Sequence, residues 1–371
     1  MELRTPLGNR DILAGDVRKR KELTSRISQV FDRFGFEEVQ TPALEYYQTY
    51  NQAFANLQDR TMLKLIDENQ DILTLRMDMT VPIARLAATS LQNAQLPLRL
   101  SYLSDVWKFR KAFTGRCAQT TDCGIELIGS DQDAEVVVCA LEALKACGLQ
   151  TYRLEFSDAR LLENAAAKVF TDPADIRTLA DLTDRKSMVE LGRFLDQFDL
   201  PQNVREYFIQ LPLLDDGLDV LEKAKALAFD EETRQVLDSL KVLGEFLIEL
   251  GYGDNIGFDL GKLPHLNYYS SLIFEAYVPG ASGSVLSGGR YDNLMACFGR
   301  DLPAVGFAFK IDPLADLFEM EDNRTLTIIR YPSSLAISAF ELARAKRMEG
   351  SVRLVRDETI DELVLEEEER P

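Results

Sequence analysis

Apolar residues recur at helical spacing along Leu23, Ile27, Val30, Phe31 and Phe34. That periodicity places them on one face and predicts a first helix over about Asp16–Phe34. Asp16 is the expected N-cap and Gly35 the C-terminal stop. The first half of Phe36–Glu45 reads as a strand. Pro42 cannot donate to a ladder, so this strand is expected at an edge or an interface. Ile72–Arg76 is a short strand, and Asp78 or Thr80 caps a helix through Val81–Leu91. Leu98–Phe109 and Gly124–Ile128 are two further strands, joined by a polar loop from Lys111 to Asp122. A helix over Asp133–Cys147 and a strand over Thr151–Phe156 follow.

From Ala159 to about Leu250 the strand pattern gives way to Leu-rich helical periods, broken at Pro173, Pro201, Pro212 and Gly217. Strands return at Ile256–Leu260, Leu272–Ala276 and Gly283–Ser287, then a helix at Tyr291–Phe298 and a strand at Ala304–Lys310. The tail holds a strand (Arg324–Arg330), a helix (Ser334–Met348) and a strand (Val352–Val355). It ends in an acidic run, Glu366–Arg370, expected to be solvated. Strands in series around helical segments, without regular alternation, point to an α+β fold with an antiparallel sheet. The expected division is a discontinuous core (1–158 and 251–320), a helical insertion (159–250) and a short α/β tail (321–371).

Composition narrows the classes. A chain of 371 residues that is 46% hydrophobic holds a sizeable core. It has no long apolar run and no apolar segment of a signal peptide near its start, so a cytoplasmic location is expected. The five cysteines form no C-x-x-C pair, which disfavours disulfide and zinc frameworks. His265 is the single histidine, more often a surface or core residue than a metal ligand or catalytic base. The net charge of −19 counts against nucleic acid as a partner. Trp107 is expected in the core.

Four polar clusters stand out: Arg76-Met77-Asp78-Met79-Thr80, Gly124-Ile125-Glu126-Leu127-Ile128-Gly129, Asn267-Tyr268-Tyr269, and Ser287-Gly288-Gly289-Arg290-Tyr291-Asp292. A carboxylate on an apolar strand, as at Glu126, needs a partner because its charge is costly to bury. Glycine pairs let a backbone approach a ligand closely. Together they point to a pocket for a small cation, such as an ammonium or imidazole group. The competing readings are an internal salt bridge for Glu126 and a simple turn at Gly288-Gly289.

In order along the chain, these segments resemble histidyl-tRNA synthetase. Pro6–Leu13 is similar to its opening loop, Phe36–Pro42 to the dimer-forming strand of class II motif 1, and Gly124–Gly129 with Asp133-Ala134-Glu135 to a family signature. Ser287–Leu294 and Ala304–Ala308 match two more, and the resemblance covers about residues 3–318. It implies a class II synthetase-like sheet flanked by helices, and an amino-acid pocket of Asp78, Thr80, Asp122, Glu126, Tyr268, Tyr269, Gly288 and Gly289. The nucleotide half departs from the pattern. Lys108 and Arg110 replace an arginine and a glutamate of motif 2, Pro264 replaces the arginine of the second histidine signature, and Pro313 replaces the arginine of motif 3. Lysine keeps a charge but loses the bidentate fork. Each lost donor costs transition-state stabilisation, so adenylation is expected to be absent. After Phe318 only one β-α-β unit remains where the family carries a larger anticodon-binding domain.

That profile is similar to the regulatory subunits of ATP phosphoribosyltransferase. It implies a chain without catalysis, metal or cofactor, dimerised through the Pro42 strand. Its implied partner is a short catalytic subunit, at the first step of histidine biosynthesis, with L-histidine as effector. The alternatives are a divergent histidyl-tRNA synthetase and an RNA-binding paralogue.

Overall fold

A computed structural model describes residues 3–6, 8–53, 62–108, 118–263, 269–320 and 324–369. Two compact units form, Met1–Phe318 and Glu319–Pro371.

The first unit opens with α1 (Ala14–Arg33), β1 (Glu37–Glu38), β2 (Leu44–Tyr46), α2 (Tyr47–Ala53), β3 (Lys64–Ile66), β4 (Ile72–Leu75) and α3 (Thr80–Ala88). Then come β5 (Leu98–Trp107), β6 (Gln119–Ile128), α4 (Asp133–Ala146) and β7 (Arg153–Asp158). A helical stretch holds α5 (Arg160–Ala167), α6 (Pro173–Asp184), α7 (Met188–Leu195), α8 (Gln202–Gln210), β8 (Asp215–Asp216), α9 (Asp219–Leu227) and α10 (Glu231–Glu249). The unit closes with β9 (Ile256–Asp259), β10 (Leu272–Tyr277), β11 (Leu286–Arg290), α11 (Asp292–Cys297), β12 (Ala304–Lys310) and α12 (Ile311–Leu317).

Nine strands make one sheet in the order β1-β5-β6-β12-β11-β10-β7-β9-β8. Its pairs are antiparallel except β1–β5 and β7–β9. A separate antiparallel sheet, β2-β4-β3, lies outside it. Strand alternation gives the large sheet two unlike faces. Ile125, Phe307 and Phe274 point to the side covered by α1, where Phe31 meets Phe307 edge-on at 5.7 Å. Glu126, Gly306 and Gly289 align across three strands on the other side.

The apolar periods placed most elements, with instructive differences. α1 starts at Ala14 with Leu13 at its N-cap, so Asp16 is not the cap. Asp16 sits in the first turn, where the helix dipole favours a carboxylate. The α1 face runs through Leu23, Ile27, Val30 and Phe31, and Gly35 takes φ +75 just beyond its end. β1 is an edge strand, as the proline predicts. Pro42 itself lies between β1 and β2. β6 begins at Gln119, inside the expected polar loop, because its ladder with β5 continues to Trp107↔Gln119. Backbone ladder bonds are blind to side-chain polarity, so that extension left no apolar signature. The helical stretch belongs to the same compact unit as the sheet. Its two-residue β8, paired Asp215↔Asp259, is too short to show a period.

β11 holds the largest local surprise, since Gly288 and Gly289 lie inside a strand rather than in a turn. A Cβ on Gly288 would stand 2.5 Å from Phe307 Cβ and 2.6 Å from Phe274 Cζ. A Cβ on Gly289 would stand 2.4 Å from Leu272 O. Close packing on both faces excludes any side chain there.

The second unit holds β13 (Thr325–Tyr331), α13 (Ala336–Lys346), β14 (Ser351–Arg356) and β15 (Val364–Glu369). The sheet order is β14-β13-β15, with β13–β14 parallel and β13–β15 antiparallel. The acidic run is therefore a strand: Glu366–Glu369 pair with Thr325–Ile328. Glutamates suit an edge strand because charge there discourages further pairing.

Candidate functional site

The segment between β4 and α3 is held on both flanks. Arg76 donates from Nε to Asp105 O at 2.7 Å and from Nη1 to Thr41 O at 2.7 Å. The Tyr50 hydroxyl donates to Asp78 O and accepts from Met77 N, each at 3.2 Å. These bonds fix Asp78 at the mouth of α3. The N-cap position is Met79, and Asp78, one residue before it, accepts from Val81 N in the first turn at 3.0 Å through Oδ1, a bond that Thr80 does not supply. Asp78 Oδ2 is buried and has no hydrogen-bond partner among the described residues. Burial pushes the Asp78 carboxyl up to about 6, against the opposing effects of the Val81 amide and the Lys108 ammonium.

Glu126 sits across the cavity on β6, 1% exposed. Among the described residues it forms no internal salt bridge, which the simplest structural reading expects. The Thr80 hydroxyl donates to Oε1 at 2.9 Å and the Tyr291 hydroxyl to Oε2 at 2.6 Å. Desolvation raises its carboxyl to about 8, although the hydroxyls of Tyr291, Thr80 and Tyr102 favour the charged form. The acid is therefore largely protonated near neutral pH. Gly306, its register partner on β12, makes room for it: a Cβ there would lie 1.9 Å from Glu126 Oε2.

Asp122 lies four residues before Glu126, on the same face. Burial raises its carboxyl, and the ammonium groups of Lys108 and Lys310 oppose that rise. Lys310 is its register partner on β12. Tyr269 packs against Gly289, where a Cβ would stand 2.6 Å from its ring.

Asp78, Thr80, Asp122, Glu126 and Tyr269 thus line one narrow cavity of about 50 Å³, together with Lys108. Gly289 backs the Tyr269 ring, whereas a Cβ on Gly288 would face the aromatic core on the opposite side. Pro313 sits in the first turn of α12. Pro264, Tyr268 and Arg110 lie outside the described residues. Three lining residues escaped the sequence reading: Tyr102, Tyr291 as a partner of Glu126, and Lys310. Alternation along β5 and β12 held the signal, since Tyr102 pairs with Gly124 and Lys310 with Asp122. Arg290 and Asp292 are structural. Arg290 Nε donates to Asp133 at 3.0 Å, and Asp292 accepts from Ala304 N at 2.8 Å.

Among the described residues, no three acidic, cysteine or histidine side chains converge as metal ligands. No helix among them is long and apolar enough to cross a membrane.

A largely antiparallel sheet with a polar, carboxylate-lined cavity on one face and helices on the other is the core of a class II aminoacyl-tRNA synthetase. The family model described as histidyl-tRNA synthetase matches residues 8–314. An ATP phosphoribosyltransferase regulatory subunit of Clostridium kluyveri is 32% identical, over 94% of this chain and 91% of that protein. The corresponding protein of Clostridium acetobutylicum is 34% identical over 83% and 77%. A crystal structure from Bacillus halodurans, described as an ATP phosphoribosyltransferase regulatory subunit/histidyl-tRNA synthetase, superposes with a TM-score of 0.87 at 30% identity, over 97% of this chain and 94% of that one. Histidyl-tRNA synthetase from Nostoc shares the fold, with a TM-score of 0.79 at 21% identity over 96% and 86%. The chain belongs to the histidyl-tRNA synthetase family, among its ATP phosphoribosyltransferase regulatory subunits.

Proposed function

We propose that this chain is a regulatory subunit without chemistry of its own. It acts with a short ATP phosphoribosyltransferase at the first step of histidine biosynthesis and relays inhibition by histidine. The carrying observation is the buried cavity in which Asp78 Oδ2 has no partner and Glu126 is met only by hydroxyl donors among the hydrogen bonds resolved. An amino acid with an imidazole ring supplies what both acids lack: an ammonium for Asp78 and a ring N–H for Glu126. A cationic group near Glu126 would favour its ionised form, so binding is expected to release a proton at neutral pH.

The second reading, a working histidyl-tRNA synthetase, is disfavoured by Lys108 and Pro313, which stand where the family grips ATP with arginines. Neither gives a planar fork for phosphate. Dimerisation through the strand preceding Pro42 is part of the same proposal, supported by the edge position of β1. Feedback requires histidine to bind two states of the assembly unequally, by about 1–3 kcal/mol.

The test is co-purification with the short phosphoribosyltransferase, followed by activity with and without histidine. The mixture is expected to be active and inhibited by histidine, and the chain alone inert in histidine-dependent ATP–pyrophosphate exchange. Robust exchange, or no gain of transferase activity on mixing, overturns the reading.

A further inference from the structure

Lys310 is the last residue of β12 and stands on the Glu126 face of the sheet. Its Nζ donates to Ser284 Oγ at 2.6 Å, a neutral hydroxyl. The nearby carboxylate of Glu275 is already engaged, by Lys262 at 2.6 Å and by the Tyr277 hydroxyl at 2.6 Å. Asp122, opposite Lys310 in register, also faces Lys108, so two ammonium groups share that end of the cavity. At the other end, Asp78 Oδ2 is an acceptor with no donor among the described residues. Lys108 lies near both Asp78 and Asp122, so among the described residues the cavity holds an acid oxygen without a donor at one end and, at the other, Lys310 bonded only to a neutral hydroxyl. A ligand bearing both charges answers both.

The spacing agrees. Gly306 is the register partner of Glu126, and Lys310 lies four residues further along β12. At about 3.3 Å per residue that is roughly 13 Å of strand. With Nζ held by Ser284, bridging such a span requires the lysine side chain to turn from that hydroxyl towards the ligand.

We propose that Lys310 receives the α-carboxylate of the bound amino acid and is a specificity-determining residue of the site. This rests on the reading that the cavity takes histidine. Selection then falls on the intact amino acid. Decarboxylated or esterified relatives leave the lysine end without its anion and forgo that charge-assisted hydrogen bond. The feedback signal is thereby tied to free histidine rather than to any imidazole-bearing amine.

The test is calorimetric titration of the full chain with L-histidine and with histamine, which lacks only the carboxylate. The wild type is expected to prefer L-histidine by about tenfold or more, the value of one charge-assisted hydrogen bond. Lys310→Met should weaken L-histidine by about tenfold or more without weakening histamine, whose retained binding also shows that the variant folds. Lys310→Arg, which keeps the charge, should retain part of the preference. Equal weakening of both ligands in Lys310→Met, or full preference retained without the lysine, overturns the assignment while the histidine site stands. Failure of the wild type to bind L-histidine at all removes the functional reading itself, and this inference with it.

Discussion

In the nine-stranded sheet, Glu126 is 1% exposed and its oxygens accept hydroxyl donors from Thr80 and Tyr291. In the three-stranded sheet, Glu366 is partly exposed on edge strand β15 and pairs with Arg330 Nε at 3.0 Å. One residue type occupies a strand in both units. The first was taken out of water without a counter-ion among the described residues, and burial raised its carboxyl to about 8. The second keeps water and an arginine. A carboxylate becomes a sensor of neighbouring charge where desolvation is strong and the partners are neutral. Where water screens it, the same group mainly keeps an edge soluble and unpaired.

That contrast can be broken at several points. Gly306→Val should have the largest effect, since even a Cβ meets Glu126 Oε2 at 1.9 Å and Ile125 O at 2.4 Å. A loss of about 4 kcal/mol or more in denaturant unfolding is expected, from overpacking against backbone and a buried acid together. A near-neutral result would mean that the Glu126 cradle is not close-packed.

Glu126→Gln comes next and reads the charge directly. The folded-state value of Glu126 is raised above the ordinary carboxyl range. Its contribution is therefore fully present below that range and is lost as pH rises towards about 8. Between pH 5 and 8 the wild type should lose about 2–3 kcal/mol relative to the glutamine variant. Parallel stability curves for the two proteins across that window would show that Glu126 is not desolvated. The smallest effect is expected in the other unit. Arg330→Ala should leave the melting temperature without resolvable change, because both partners of that pair keep contact with water. A large drop there would erase the difference between the two sheets.

The chain pattern revealed a good part of this. The apolar stripe of α1, the strands β4, β7, β9, β10 and β12, and the helical stretch from α5 to α10 follow from periodicity alone. Asp78, Thr80, Asp122, Glu126 and Tyr269 converge as the motifs predict. Three of the misses share a cause. The polar start of β6, the two-residue β8 and the acidic β15 are strands by virtue of ladder bonds to a neighbour, and such bonds carry no apolar signature. The family resemblance groups Gly288 with Gly289, yet successive strand residues face opposite ways.

The sequence by itself determined which segments bury an apolar side, where chain breaks fall and which acids lie close to apolar strands. These follow from local periodicity and from the chemistry of single side chains. Only the tertiary structure decided that Lys310 stands opposite Asp122, that Tyr291 reaches Glu126, and that Asp78 keeps one buried oxygen without a donor among the described residues. The physical reason is register. Which side chains meet across a sheet, and how much water they lose, depends on the pairing of strands far apart in the chain.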